Sequence, residues 1–179
     1  MDSVGVNSPA DILDARRQAA RLAAKAEIRD VRLLKSSAEV TDIPATGSVF
    51  TYDLNSEANV DYEPGSTSFV VRFSYQLSIK PAESAEQNEP PSATSVASIE
   101  FEQAALFVIE LGEDEEPLRE EELTSYAVTT GQFALHPFAR EYIYDVTGRL
   151  GLPPLTVGIL SMPWNEMGET PFERDPERR

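Results

Sequence analysis

Catalysis needs reactive side chains, and this sequence holds few. His136 is the only histidine among 179 residues, and there is no cysteine. An imidazole titrates near neutrality and suits general acid–base work. With no second histidine and no thiol, there are few parts for a nucleophile–base pair or a zinc set. His136 precedes Pro137, so it reads as a residue at the start of a helix. The motifs GxxxxGK[ST], GxGxxG and GxSxG are all missing. Carboxylates are plentiful, but most fall in charge runs, where a solvated surface is the ordinary reading. No catalytic residue, metal or cofactor is expected, and the chain does not read as an enzyme.

The charge is unevenly placed. Residues 36–135 hold 3 of the 15 Lys/Arg and 19 of the 31 Asp/Glu, which accounts for the whole net charge of −16. An acidic middle repels phosphates and argues against nucleic acid. It suits a protein that exposes apolar surface, or a partner with a basic patch. At 41% hydrophobic the chain can build a core. No run of about 18 apolar residues is present, so no membrane insertion is expected. The first residues, MDSVGVNSPADILDARRQ, lack a basic region followed by an apolar one. A cytoplasmic location is therefore expected.

The best-specified element is the stretch from Leu135 to Leu155. Phe138, Tyr142, Val146 and Leu150 recur at four-residue steps, with Ala139 and Ile143 beside them, which predicts one apolar helical stripe. Pro137 suits the first turn, Gly151 the position past the end, and Pro153-Pro154 forbids continuation. Residues 9–28 predict an Ala/Arg-rich helix with a thin face of small residues, laid on the main body or on a neighbouring subunit.

Four strands are predicted between these helices. The first spans about Ile28 to Val40, with a parity switch near Leu33-Leu34 that suggests a bulge. The second spans Val49 to Ala58, alternating Phe50, Tyr52 and Leu54 with polar residues. In the third, Phe69, Val71, Phe73, Tyr75, Leu77 and Ile79 alternate with polar residues. The fourth spans Val96 to Leu111, with Ala97, Ile99, Phe101, Ala105, Phe107, Ile109 and Leu111 on one face. Residues 81–95 read as a long hairpin tip. A short helix follows Pro117, with Glu120, Glu121 and Glu122 in its first turn and Gly131 at its end.

Strands followed by helices predict an α+β fold: a four-stranded antiparallel sheet with helices on one face, plus the extra N-terminal helix. The expected organisation is a helical extension over 1–27, a main domain over 28–163 and a charged tail over 164–179 that frays. Val70, Ala104, Leu106 and Val108 add apolar surface to the sheet face that the helices do not cover. Another subunit is its expected cover.

The segment LHPFAREYIYDVTGRLGLPPLTVGIL resembles the signature region of the protein-export chaperone SecB family. FEQAALFVI resembles the end of that family's fourth strand, and the order of elements matches over roughly residues 28–160. With DVRLL, FTYDL, FVVR and EELTSYAVTTGQFAL, the chain is similar to the SecB-like chaperones encoded beside stress toxin–antitoxin pairs. The resemblance implies an ATP-independent holdase built as a dimer of dimers, a homotetramer, that wraps unfolded polypeptide clients in apolar grooves. An antitoxin is the implied dedicated client. Val31, Leu33, Phe50, Tyr52, Leu54, Phe138 and Tyr142 would line the groove. The same side chains suit a buried core, and the sequence leaves the two open. Export-type members present acidic sheet residues to the translocation motor protein. Glu39 and Glu100 fall at two such positions, and Lys35 stands at a third. The alternative function is an oligomeric adaptor that binds one folded partner through its acidic sheet. A small-ligand carrier is a third possibility, since a helix across a sheet can enclose a pocket.

Overall fold

The computed structural model describes residues 9–45, 47–82, 95–112 and 115–160, with side chains from Ala15 onward. Most of the expected hairpin tip, and all of the expected tail, lie outside these residues. Four strands form one antiparallel sheet: β1 (Ala26–Val40), β2 (Phe50–Tyr62), β3 (Ser68–Pro81) and β4 (Ala97–Ile109). Their spatial order is β1-β4-β3-β2, a Greek-key arrangement in which the first two strands form the two edges. Helix α1 spans Pro9–Ala23. Helix α2 (Glu120–Tyr126) runs through a π turn (Ala127–Gly131) directly into α3 (Gln132–Arg149). The architecture is the expected α+β layer.

Helix α1 stops at Ala23, five residues before its expected end. The chain that follows is taken into the sheet, where Ala26 pairs with Ile109 and Ile28 with Phe107. Ala19 and Leu22 of α1 join the core. The helix is pinned to α2 by Arg21, which donates to Glu122 at 2.6 Å and to the Glu116 carbonyl at 2.7 Å. Ser125 donates to Gln18 at 2.6 Å. Lys25 pairs with Glu115, and that hydrogen bond is the main cause holding the Glu115 carboxyl below its ordinary range.

The strand alternation decides which face is buried. Every odd-numbered residue from Phe69 to Ile79, and from Ala97 to Ile109, points to the helix side and is buried. Phe69 stacks on Phe107 with centroids 5.3 Å apart, and Tyr126 of α2 meets both rings edge-on. Edge-to-face pairs of this kind each add about 0.5–1.5 kcal/mol beyond area burial. β1 carries two irregularities, at Arg29 and at Leu34. The second is the bulge expected from the parity switch at Leu33-Leu34.

The helical region departs from the expected two-helix reading. Gly131 does not end a helix. It sits in right-handed helical conformation, and the Gln132 N–H reaches back to the Ala127 carbonyl, five residues away. A Cβ on Gly131 would stand 3.3 Å from Cγ1 of Val71, so glycine here lets the helix approach β3. The extra residue turns the following helix by about 100°. Pro137 lies inside α3 rather than in a first turn. His136 is likewise mid-helix.

The buried stripe of α3 is Leu135, Ala139, Ile143 and Thr147. The expected stripe is one position away. Tyr142, Val146 and Leu150 are half-buried on its flank, and Phe138 is exposed. Thr147 is fully buried because its hydroxyl is satisfied twice. It donates to the Ile143 carbonyl at 2.8 Å and accepts from the Leu155 N–H at 2.9 Å. Gly151, at φ +79°, turns the chain after the helix. The segment that follows runs back along α3, where His136 Nε2 donates to the Gly158 carbonyl at 2.8 Å.

Candidate functional site

The strand register carries the inner face of the sheet out to both edges. On β1 it holds Ile28, Val31, Leu33 and Ser36, opposite Phe107, Ala105, Gln103 and Phe101 of β4. Helix α3 leans over this side. The Tyr142 ring lies 4.5 Å from that of Phe101, and its hydroxyl hydrogen-bonds Ser36 Oγ on β1. Phe138 stands one helical turn before Tyr142 on the same flank.

Tyr142 thus joins this flank of α3 to β1. Large apolar side chains on both elements are incompletely covered. Leu33 is 47% exposed and Phe138 42% exposed, and Ile28 is also exposed. Val31 and Tyr142 are half-buried against the core. Four expected residues lie on these two elements, Val31 and Leu33 on β1 and Phe138 and Tyr142 on α3.

The other three do not. Phe50, Tyr52 and Leu54 share the inner face but lie on β2, opposite Pro81, Ile79 and Leu77 of β3. Two strands separate them from β1, a spacing of about 14 Å. Phe50 and Leu54 pack against the core, and Tyr52 is exposed. The seven residues form two apolar surfaces at opposite edges of one sheet.

One polar residue of the inner face went unforeseen. Gln103 points to the inner face between Leu33 and Phe73, its partners on the two neighbouring strands. It is only 5% exposed, and its Oε1 has no hydrogen-bond partner among the described residues. The sequence signal was present: Gln103 is the one polar break in the alternating apolar set from Ala97 to Ile109.

The outer face carries the charges. Glu39 lies opposite Ser98, and Glu100 opposite Ser37, so the two carboxylates are diagonal neighbours. Lys35 stands opposite Glu102, and the Arg72 guanidinium is 3.7 Å from Glu102 and 2.8 Å from Asp61. Basic groups thus offset the acidic side chains next to the Glu39–Glu100 pair. Among the described residues no cluster of three or more His, Cys, Asp or Glu could hold a metal ion. No described helix is long and apolar enough to cross a membrane. Burial pushes the Tyr126 phenol up to about 12 and raises Tyr75 as well. Both phenols belong to the core.

No protein-family model matches the chain. It is 50% identical over 159 residues to the SecB-like chaperone Rv1957 of Mycobacterium tuberculosis strain H37Rv, covering 86% of this chain and 88% of the relative. The SecB-like chaperone MT2006 of strain CDC 1551 matches to the same extent. Among solved structures, the Rv1957 chaperone in complex with a ChAD peptide from the Rv1956 HigA1 antitoxin superposes with a TM-score of 0.71 at 52% identity. That match covers 83% of this chain and 99% of the other. Identity at half the aligned positions, over most of both chains and on a shared sheet-and-helix framework, leaves one conclusion: the chain belongs to the SecB-like chaperone family.

Proposed function

We propose that this protein is an ATP-independent holdase whose dedicated client is an antitoxin. An extended apolar segment of the client lies in the cleft between β1 and α3, with its anchors against Val31, Leu33, Phe138 and Tyr142. The observation that carries this reading is the exposure of two large apolar side chains, Leu33 on β1 and Phe138 on α3, on elements that the Tyr142–Ser36 hydrogen bond joins. The antitoxin peptide bound to the relative of known structure supports the choice of client. Fully burying a large aliphatic or aromatic side chain yields about 1.5–3 kcal/mol. Two or three anchors then give about micromolar binding after ordering costs.

The apolar residues Phe50, Tyr52 and Leu54 on β2 extend the client path in an assembled homotetramer, a dimer of dimers. Residues 28–163 form the chaperone domain, to which the helical extension over 1–27 is added, and the protein acts in the cytoplasm. The translocation motor is a lesser partner. Glu39 and Glu100 offer it two carboxylates, but Lys35 and Arg72 beside them oppose a basic surface.

Co-expression tests the client assignment. The antitoxin is produced with and without its C-terminal tail, in the presence and absence of this chaperone. Full-length antitoxin is expected to need the chaperone for solubility, and the tail-less form to be independent of it. Equal solubility of the full-length antitoxin in both conditions contradicts the partnership. Persistent dependence after tail removal contradicts the cleft as the tail's seat.

A further inference from the structure

We infer that segment 152–160 is a built-in competitor of the client: it fills an apolar seat beside α3 that an extended client takes when the segment is displaced. The inference rests on the holdase reading above and adds a regulation to it. The segment reads LPPLTVGIL and belongs to no helix or strand. Pro153 and Pro154 favour an extended start. Leu152 and Val157 are buried in the core, Leu155 packs against it, and Ile159 is exposed. Among the described residues, the main chain from 153 to 160 makes two hydrogen bonds, both to side chains of α3. The Leu155 N–H donates to Thr147, and the Gly158 carbonyl accepts from His136. An apolar, extended piece of chain with most of its peptide groups left to water is what a holdase takes as a client.

The segment has a definite place. Helix α3 runs along the strands, from Gly131 against Val71 of β3 to Tyr142 against Phe101 of β4. Tyr142 looks toward β1, where it meets Ser36. His136 and Thr147 lie about three turns apart on one flank, about 120–140° round the helix from Tyr142. The buried stripe between the two flanks faces the sheet, so the His136–Thr147 flank looks toward β2. On that side the inner face holds Leu77 and Ile79 of β3, paired with Leu54 and Tyr52 of β2. Leu77 and Ile79 are buried, and Tyr52 is exposed. Release of the segment extends the open apolar floor from Tyr52 toward α3, and client side chains replace Leu155 and Val157.

The sign of one effect separates a competitor from a fixed wall. A seat that is free only part of the time binds more weakly by that fraction, so loosening a competitor tightens client binding. Loosening a wall weakens it. The test uses the full-length protein and a fluorescent peptide of leucine and serine with a lysine at each end. His136→Ala and Thr147→Val each remove one hydrogen bond that holds the segment. Each is expected to raise peptide affinity about fivefold, the worth of one net hydrogen bond. Thr129→Val is the control, since it removes a buried hydroxyl bonded to the Ser125 carbonyl within the π turn. Its affinity should match the wild type. In the wild type, hydrogen exchange at the Leu155 amide should quicken when peptide is added to saturation. Unchanged or lower affinity in both segment variants overturns the inference, as does an equal rise in Thr129→Val, which assigns the effect to general loosening. Slowed or unchanged Leu155 exchange in a wild type that binds the peptide overturns it too and leaves the holdase reading standing. If neither the wild type nor the variants bind the peptide, the holdase reading falls with it.

Discussion

Tyr126 and Gln103 show two ways in which a polar group is buried in this fold. The Tyr126 ring closes against Phe69 and Phe107, and its phenol is pushed from an ordinary 10.0 up to about 12 by burial. Its folded pKa therefore lies above its unfolded one. The stability linked to it is fully present below about pH 10 and is lost as pH rises through about 12. Burial of Tyr75 acts in the same direction. The urea midpoint is expected to fall steeply between about pH 10 and 12, and Tyr126→Phe to flatten that fall. An equally steep fall in the variant would remove Tyr126 as its source. Gln103 differs because its Oε1 is buried without a hydrogen-bond partner among the described residues.

Among the elements, α3 shows best what the sequence could and could not convey. Its existence and its end just before Gly151 follow from period and stop signals. Its phase does not. The apolar periodicity favours Phe138, Tyr142, Val146 and Leu150, whereas the buried row includes small Ala139 and polar Thr147. Thr147 can be buried because the returning chain supplies the Leu155 N–H, a long-range contact that no local pattern announces. The large aromatic residues Phe138 and Tyr142 are left on its less buried flank. The strands were more legible, since alternation in β3 and β4 assigns faces directly. The pairing of β1 with β4 was not legible, and this pairing separates Leu33 from Tyr52. Thr147→Val keeps the shape of the side chain but orphans the Leu155 N–H. It should lower stability by about 1–3 kcal/mol in chemical denaturation. It should also speed protease cleavage between 152 and 160, and unchanged values would leave Thr147 without this role.

For the molecule as a whole, one sheet has its helices on one face and leaves Leu106, Val70 and Val108 on the other. Both edge strands are also unpaired within the described residues, and long open edges are ordinarily covered. The proposed homotetramer would cover both. Light scattering at micromolar concentration should return four times the 19.7 kDa chain mass, and a monomer would contradict this assembly. The holdase reading itself is tested most directly by aggregation of a chemically unfolded protein diluted into buffer without nucleotide. Three proteins are compared: wild type, Leu33→Asp in the cleft, and Ile43→Asp at a fully exposed position in the β1–β2 connection. At stoichiometric amounts, wild type and Ile43→Asp should suppress light scattering, and Leu33→Asp should lose most of that activity. Failure of the wild type to suppress aggregation, or full activity in Leu33→Asp, would contradict a holdase that works through this cleft.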